Sequence, residues 1–488
     1  MFGWVRRIRP AHPLGVSAEG TPMAAQRPPI TRALAAWCAS VRWDARSTTE
    51  QARVLDSLVD TVGVAVAGVG DADMVPVRAF LAATGADAEG ASQLWGEGRS
   101  VRAAAAALFN GTSGHVMDFD DVHYVVHGHP STVLFPALIA VAQERGIGAV
   151  RMLEGYVAGL GVMSAVATAY GPRHYTAGWH STSTTGAVGA AAGVATMLGL
   201  DEQAIARAMS AAVSMSMGSR ANFGTHLKPL HAGLAARAGV EAVQLVEAGA
   251  LPVLNALEAP LGGVDIFGDG SWPLEHADPL AAVLTAAERG SDQLGLKMYP
   301  CCRGAHFAVD AALEVREQLG AVDEFAAVEV DVPLGAKVAL LYDDPTTGLE
   351  GKFSLPYAVA TSLVRGLPTP EHFTDAAVGD ARVRELMSII SVTEDPSGGD
   401  LSAGMEGRYA MVTARSADGR VASARVDDAR GSWSRPLSAA EVDEKFLACT
   451  SRAWGDEAAR RTLDALRQPS ERSLRDVLPD ACAADVVS

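Results

Sequence analysis

Near Glu324 the hydrophobic period of the chain changes, and that change limits the folds open to it. From about Ile30 to Gly290 apolar residues recur at helical spacing. In "QARVLDSLVDTVGVAVAGVG", for example, Val54, Leu58, Val62 and Val66 fall on one face, behind a Ser47/Glu50 capping box. Beyond Glu324, "AAVEVDV" alternates strictly, with Val328, Val330 and Val332 on one side and Glu329 and Asp331 on the other. "SIISVTED" and "RYAMVTARSADGRVASARV" continue the strand pattern, and Asp418-Gly419 is a hairpin signal. Two helical stretches, "AHFAVDAALEVREQLG" and "PYAVATSLVRG", accompany these strands. After "WSRPL" the helical period returns, behind a second capping box at Ser438 and Glu441. A 3.6-residue repeat and a two-residue repeat cannot share one layer. The expected fold is therefore mainly α: a large all-helical domain plus a smaller inserted α/β (α+β) domain. The expected boundaries are a disordered leader over 1–28, the helical domain over 29–292, the α/β unit over 293–435, and C-terminal helices over 436–488 that rejoin the helical domain.

A length of 488 residues also calls for more than one core. A net charge of −17 with no basic stripe argues against a nucleic-acid partner. Five cysteines without a CxxC favour neither a disulfide scaffold nor a zinc-thiolate site and fit a reducing cytoplasm. The first residues carry arginines but no continuous apolar run, so they do not read as a secretory signal, and Met23 is an alternative start to Met1. The most apolar run, Gly186 to Leu200, is too short and too rich in Ala and Gly to span a bilayer. Its Gly189 and Gly193 read as close helix packing. No membrane partner is expected.

The chemistry gathers elsewhere. "DFDDVHYVVHGHP", Asp118 to Pro130, places three carboxylates and three histidines within thirteen residues. His127 and His129 with a carboxylate could bind a metal, but the spacing is not that of an HExxH helix and no distant ligand motif supports it. The run DFDD also matches the DxDD acid motif of class II terpene cyclases, which stabilise cations with aromatic walls. Only 6% of this chain is aromatic. Turn capping or solvation would account for at least one of the three aspartates.

Five apolar helices are expected to start just after a cationic or imidazole residue: His129, His180, Lys228, Lys297 and Lys352. Four of these junctions carry Pro. Helix N-termini attract anions, so converging ends would form a polyanion pocket in an acidic protein. Lysine usage points the same way. The chain has 35 arginines and five lysines, and three of the five lysines sit at these junctions. Lysine offers a compact charge and can lose its proton when buried; arginine does neither.

The ordered motifs "NGTSGHVMDFDDVH" with "HPS", "GWHSTSTTGAVGAAAGVATMLGL", "LKPLHAGLAARAG", "KMYPCCRGAHFAVDA" and "GKFSLPYAVA" resemble those of the MmgE/PrpD family, from about residue 30 to 470. That family includes 2-methylcitrate dehydratases, cis-aconitate decarboxylases and an iminodisuccinate epimerase. The resemblance implies a helical domain closed by a discontinuous α/β lid, a homodimer, a site in the cleft between the two domains, and neither metal nor organic cofactor. It implies site roles for Asp118, His129, His180, Lys228, Lys297, Lys352 and Tyr357. Two positions depart from the pattern. The dehydratases and decarboxylases carry His where this chain has Cys302, and the decarboxylases carry Thr where it has Val122. Both departures argue against cis-aconitate decarboxylation.

The family reactions share one step, a proton moved at a carbon next to a carboxylate, which needs cations on the carboxylates and a base of suitable pKa. The expectation is a cofactor-independent lyase or isomerase for a small di- or tricarboxylate, nearest to 2-methylcitrate dehydratase. An epimerase of the iminodisuccinate type and a decarboxylase of the cis-aconitate type are the alternatives. Lys228, Lys297, Arg303 and Lys352 would hold carboxylates, with Tyr357 beside them. His129 and His180 would move protons, Asp118 would orient one of them, and Cys302 would either replace the missing His or fill space. The rival from another class is an inert carboxylate-binding homologue.

Overall fold

The computed structural model describes residues 27–268, 278–320, 324–400, 407–470 and 474–479. Most of the expected leader, Met23 and Cys482 lie outside these residues. Arg27 already belongs to the folded body, since its guanidinium pairs with Asp265 at 2.7 Å.

The fold is mainly helical with small sheets. One large apolar cluster runs from Ile30 through the helices up to Ala287 and takes in Leu437, Val442, Phe446 and Leu463 near the C-terminus. Two of its helices start where the capping boxes placed them, whereas the helix expected after Lys228 already begins at Leu227. The Ser47 hydroxyl accepts from the Glu50 amide at 3.2 Å and starts the helix Thr48–Gly68. Ser438 and Glu441 cap reciprocally at the start of Ala439–Trp454. Those two helices pack together: a Cβ on Gly63 would lie 3.0 Å from the Phe446 ring.

Small residues set the closest approach in the core. The helices Ala149–Tyr170 and Ser181–Met197 meet glycine to glycine. A Cβ on Gly189 would stand 2.7 Å from the Gly159 carbonyl, and one on Gly193 2.6 Å from the Gly155 carbonyl. Close packing is thus the reason for both glycines. Ala149–Tyr170 alone among the described residues is long and apolar enough to cross a membrane, and 89% of its apolar window is buried within the fold.

A second apolar cluster draws on residues from Tyr299 to Ala429, plus Phe223 from the helical body. Its sheet has four strands. Phe325–Leu334 runs parallel to Ile390–Asp400 and antiparallel to Ala410–Ser416, which forms a hairpin with Val421–Val426. Val328, Val330 and Val332 are buried while Glu329 is exposed, as the alternation requires. Gly419 takes the left-handed conformation, φ 90°, that the hairpin turn needs. The helices His306–Leu319 and Leu355–Arg365 pack with this sheet. The helix expected just after Lys297 does not start there. A 3-10 turn, Arg303–Ala305, intervenes, and the helix begins at His306. A two-residue ladder, Val122–His123 against Leu294–Gly295, ties the polar stretch to the segment that carries Lys297.

Candidate active site

The helix Ala103–Val116 ends in a turn that buries Asp118, and four of the five lysines close on that turn. Lys228 pairs with the Asp118 carboxylate. Lys297 lies 2.9 Å from the other carboxylate oxygen and donates to the Asp118 carbonyl at 2.9 Å. Lys352 donates to the Val116 carbonyl at 2.9 Å. Lys445 donates to the Phe119 carbonyl at 2.8 Å and pairs with Asp60 at 2.7 Å. Helix C-termini expose unpaired carbonyls and carry negative partial charge. A slender ammonium with three donors can serve such carbonyls within a packed core; a planar guanidinium has five donors in a fixed fork. Lys337 stands apart, on the surface with Asp343.

Asp118 itself takes a left-handed backbone conformation, φ 52°, as does His127, φ 51°. Such conformations cost free energy in non-glycine residues and hold only where surrounding contacts enforce them. Here two ammoniums do so. Burial opposes the charge on Asp118, but Lys228 and Lys297 outweigh it and hold the carboxyl well below its usual range. Burial likewise opposes the charge on Lys297, and Asp118 and Asp120 outweigh it.

The other two aspartates differ. Asp120 pairs with His115, 2.8 Å from its Nδ1, and lies 3.4 Å from His129 Nδ1. Asp121 accepts from the Ser131 amide at 3.2 Å and from the Ser131 hydroxyl, fixing the start of Ser131–Arg145. Helix capping is therefore the role of one aspartate of the three. His123 is also structural: its Nε2–H donates to the Gly290 carbonyl at 2.6 Å and its Nδ1 accepts from Val125 and Val126.

His129 is held in one tautomer. Its Nδ1 stands 2.7 Å from the Asp121 carbonyl, which can only accept, so Nδ1 carries the hydrogen. Nε2 is then the basic nitrogen, with no hydrogen-bond partner among the described residues. Burial, Lys297 and Lys228 lower the His129 pKa well below the ordinary value, against the pull of Asp120. His180 Nδ1 meets His231 Nδ1 at 3.1 Å, so one ring donates and the other accepts. Burial and then Lys228 push both pKa values down, that of His231 to about 4. His115 lies beneath, its ring 4.5 Å from that of His129 and 6.0 Å from that of His180.

Asp118, His129, His180, Lys228 and Lys297 line a cavity of about 70 Å³ that opens partly to solvent, with His115 and His231 behind it. Asp118, His129, His180, Lys228, Lys297, Cys302 and Arg303 all border it, from both apolar clusters. Four of the five residues expected at helix junctions thus converge, although only His129 and His180 stand just before a helix start; Lys228 lies in the first turn of its helix and Lys297 well before His306. Lys352 does not reach the cavity, because its ammonium is spent on the Val116 carbonyl. Tyr357 does not either: its hydroxyl donates to the His372 carbonyl, within the second apolar cluster. The family motif places both residues near the site in sequence, but their side chains hold the walls rather than the interior.

Arg303 also differs from expectation. Its Nε donates to the Tyr124 hydroxyl at 2.9 Å, and its terminal nitrogens donate to the carbonyls of Arg430 at 3.0 Å and Ala429 at 3.1 Å and to His306 Nδ1 at 3.1 Å. Its fork is occupied by the protein. Cys302 does border the cavity, and burial raises its pKa, so it is a neutral thiol at pH 7.

Several site residues escaped the sequence reading. His231 follows Lys228 by one helical turn, a spacing that would have flagged it. His115 precedes Asp118 by three residues in the same motif. Tyr175 and Arg408 line the cavity itself, and no local motif marks either. His127 borders the cavity too, edge-on to Tyr175 at 5.8 Å.

For a metal, the fitting donors are not His127 and His129 but His115, Asp118 and His129, whose ligand atoms lie within 4.8 Å of one another. The fit is poor. Asp118 already pairs with two ammoniums, and a divalent cation there would face both at close range.

Comparison with known proteins places this arrangement. The chain is 27% identical over 360 residues to human cis-aconitate decarboxylase (Homo sapiens), covering 71% of this chain and 72% of the relative. It is 26% identical over 362 residues to the mouse enzyme of that name (Mus musculus), with the same coverage. It is 25% identical over 323 residues to a cis-aconitate decarboxylase-like protein, oryM, of Aspergillus oryzae, covering 61% of this chain and 66% of the relative. Residues 32–275 match the MmgE/PrpD N-terminal domain and residues 299–468 the MmgE/PrpD C-terminal domain, each carrying one wall of the cavity. With both halves matched in order, the chain belongs to the MmgE/PrpD family.

Proposed function

We propose that the protein is a cofactor-independent lyase or isomerase that moves a proton next to a carboxylate in a small di- or tricarboxylate. The observation that carries this reading is the His129 tautomer: Nδ1–H is committed to the Asp121 carbonyl, and a neutral Nε2 stands at a cavity bordered by Lys228 and Lys297. A neutral imidazole takes a proton from carbon. The cations stabilise the negative charge that then spreads into the carboxylate. Lys228 and Lys297 gather anions, Asp118 fixes both ammoniums in place, and His180 with His231 returns or removes a second proton. Cys302, a neutral thiol, suits a donor better than a base.

Elimination of water, as in a 2-methylcitrate dehydratase, fits two proton-transfer groups on one cavity. Epimerisation of the iminodisuccinate type would use the same pair, one taking the proton and the other returning it. Decarboxylation is the reading favoured by the names of the relatives, while Cys302 and Val122, both at the cavity, weigh against it. Incubation with a panel of small polycarboxylates, read by product analysis, tests the proposal. Loss of water or inversion at carbon is expected. Carbon dioxide release alone would make the protein a decarboxylase, and binding without turnover would make it an inert homologue.

A further inference from the structure

The cavity has a second cationic pole that neither sequence nor family resemblance marked. Arg408 lies just before the strand Ala410–Ser416 and borders the cavity from the side of the second apolar cluster. Unlike Arg303, it has no hydrogen-bond or ion-pair partner among the described residues, and its Nε is a buried donor left unsatisfied. Lys228 and Lys297 share the charge of Asp118; Arg408 has no carboxylate. The residue is half-buried, and a buried N–H left unsatisfied costs free energy, so natural proteins rarely keep one unless a ligand or water completes it. The surroundings leave room for that ligand. Gly304 borders the cavity beside it, and a Cβ there would come within 3.3 Å of Arg408 Nη1. Tyr175, a neutral phenol whose pKa burial pushes up to about 12, lines the same space and offers a hydroxyl donor.

We infer that Arg408 binds a carboxylate of the substrate remote from the reacting carbon, so that the cavity selects acids with a carboxylate at each end. This rests on the proposed function for the identity of the reacting end, but the binding claim can fail or stand separately. A planar guanidinium matches a carboxylate with two parallel hydrogen bonds, which a lysine cannot supply.

The probe is propane-1,2,3-tricarboxylate, paired with its terminal monoamide, titrated calorimetrically into wild type, Arg408→Gln and Arg408→Lys. Wild type is expected to bind the tricarboxylate at least about tenfold more tightly than the monoamide. Arg408→Gln should lose most of that preference, and Arg408→Lys part of it. The ligand-free Arg408→Gln protein should melt no lower than wild type, because an unpaired charge has been removed. A merely structural arginine would give the opposite, a lower melting temperature with the preference intact. Equal affinity in wild type and Arg408→Gln overturns the inference, and so does a wild type that binds neither probe. Should Arg408→Gln fail to fold, Arg408→Lys decides alone, since an unchanged preference there overturns the bidentate contact. Solvent-proton exchange into carboxylates, measured on the same wild-type sample, reports on the proposed function independently. Exchange with no Arg408 dependence of binding keeps the function and removes this subsite; Arg408-dependent binding without exchange does the reverse.

Discussion

Lys297 holds Asp118 twice: one ammonium donates to its backbone carbonyl at 2.9 Å and lies 2.9 Å from its carboxylate. The pair is buried, with side-chain exposures of 0% and 3%. Lys297 comes from the segment after the ladder of Val122–His123 with Leu294–Gly295, and Asp118 from the end of a helix 179 residues earlier in the chain. Their contact fixes a left-handed turn that would otherwise be unfavourable.

The first prediction concerns Lys228, which shares the Asp118 carboxylate and lies 5.0 Å from the Phe353 ring centre. Lys228→Arg keeps the charge but not the shape. A surface lysine would tolerate the change within about 0.5 kcal/mol. At this site the guanidinium cannot occupy the same point, and kcat/KM on the true substrate should fall at least roughly tenfold, about 1.4 kcal/mol, with circular dichroism unchanged. Unaltered kinetics would remove Lys228 from the mechanism.

The pH dependence follows from the buried histidines. His115, His129, His180 and His231 have pKa values lowered first by burial, so they stay neutral in the folded protein below pH 6.5, where they would charge in the unfolded chain. The unfolded state then binds more protons, and stability should fall as pH drops from about 6.5. The carboxyl of Asp118, held low, adds a further loss below about pH 4, as pH falls through its folded value. If neutral His129 is the base, the acid limb of kcat/KM should lie below the ordinary histidine value of about 6.5. An acid limb at or above that value would assign the base elsewhere.

Exhaustive chelation should leave turnover unchanged. The three residues that could hold an ion include Asp118, already paired with two lysines. Activity lost to EDTA and restored by zinc or magnesium would contradict the proposed chemistry.

Much of this was legible in the residues. The change of period at Glu324 separated the helical body from the sheet, because alternation at Val328, Val330 and Val332 is enforced by burial of one face. Lysine scarcity marked Lys228 and Lys297, since few positions demand a compact buried cation. Lys352 misled for the same reason: its demand comes from the Val116 carbonyl, a helix end brought close only by the tertiary fold. Arg303 and Arg408 could not be told apart in sequence. What distinguishes them is whether distant carbonyls, those of Ala429 and Arg430, occupy the fork.

Proton transfer to His129 is the central proposed step, and deuterium incorporation measures it. A panel of small di- and tricarboxylates in heavy water, followed by proton NMR, should show enzyme-dependent loss of a signal next to a carboxylate for at least one acid. His129→Ala, correctly folded, should slow that exchange by about 10²–10⁴. Exchange as fast in His129→Ala as in wild type, or no exchange from any acid at saturating concentration, would contradict it.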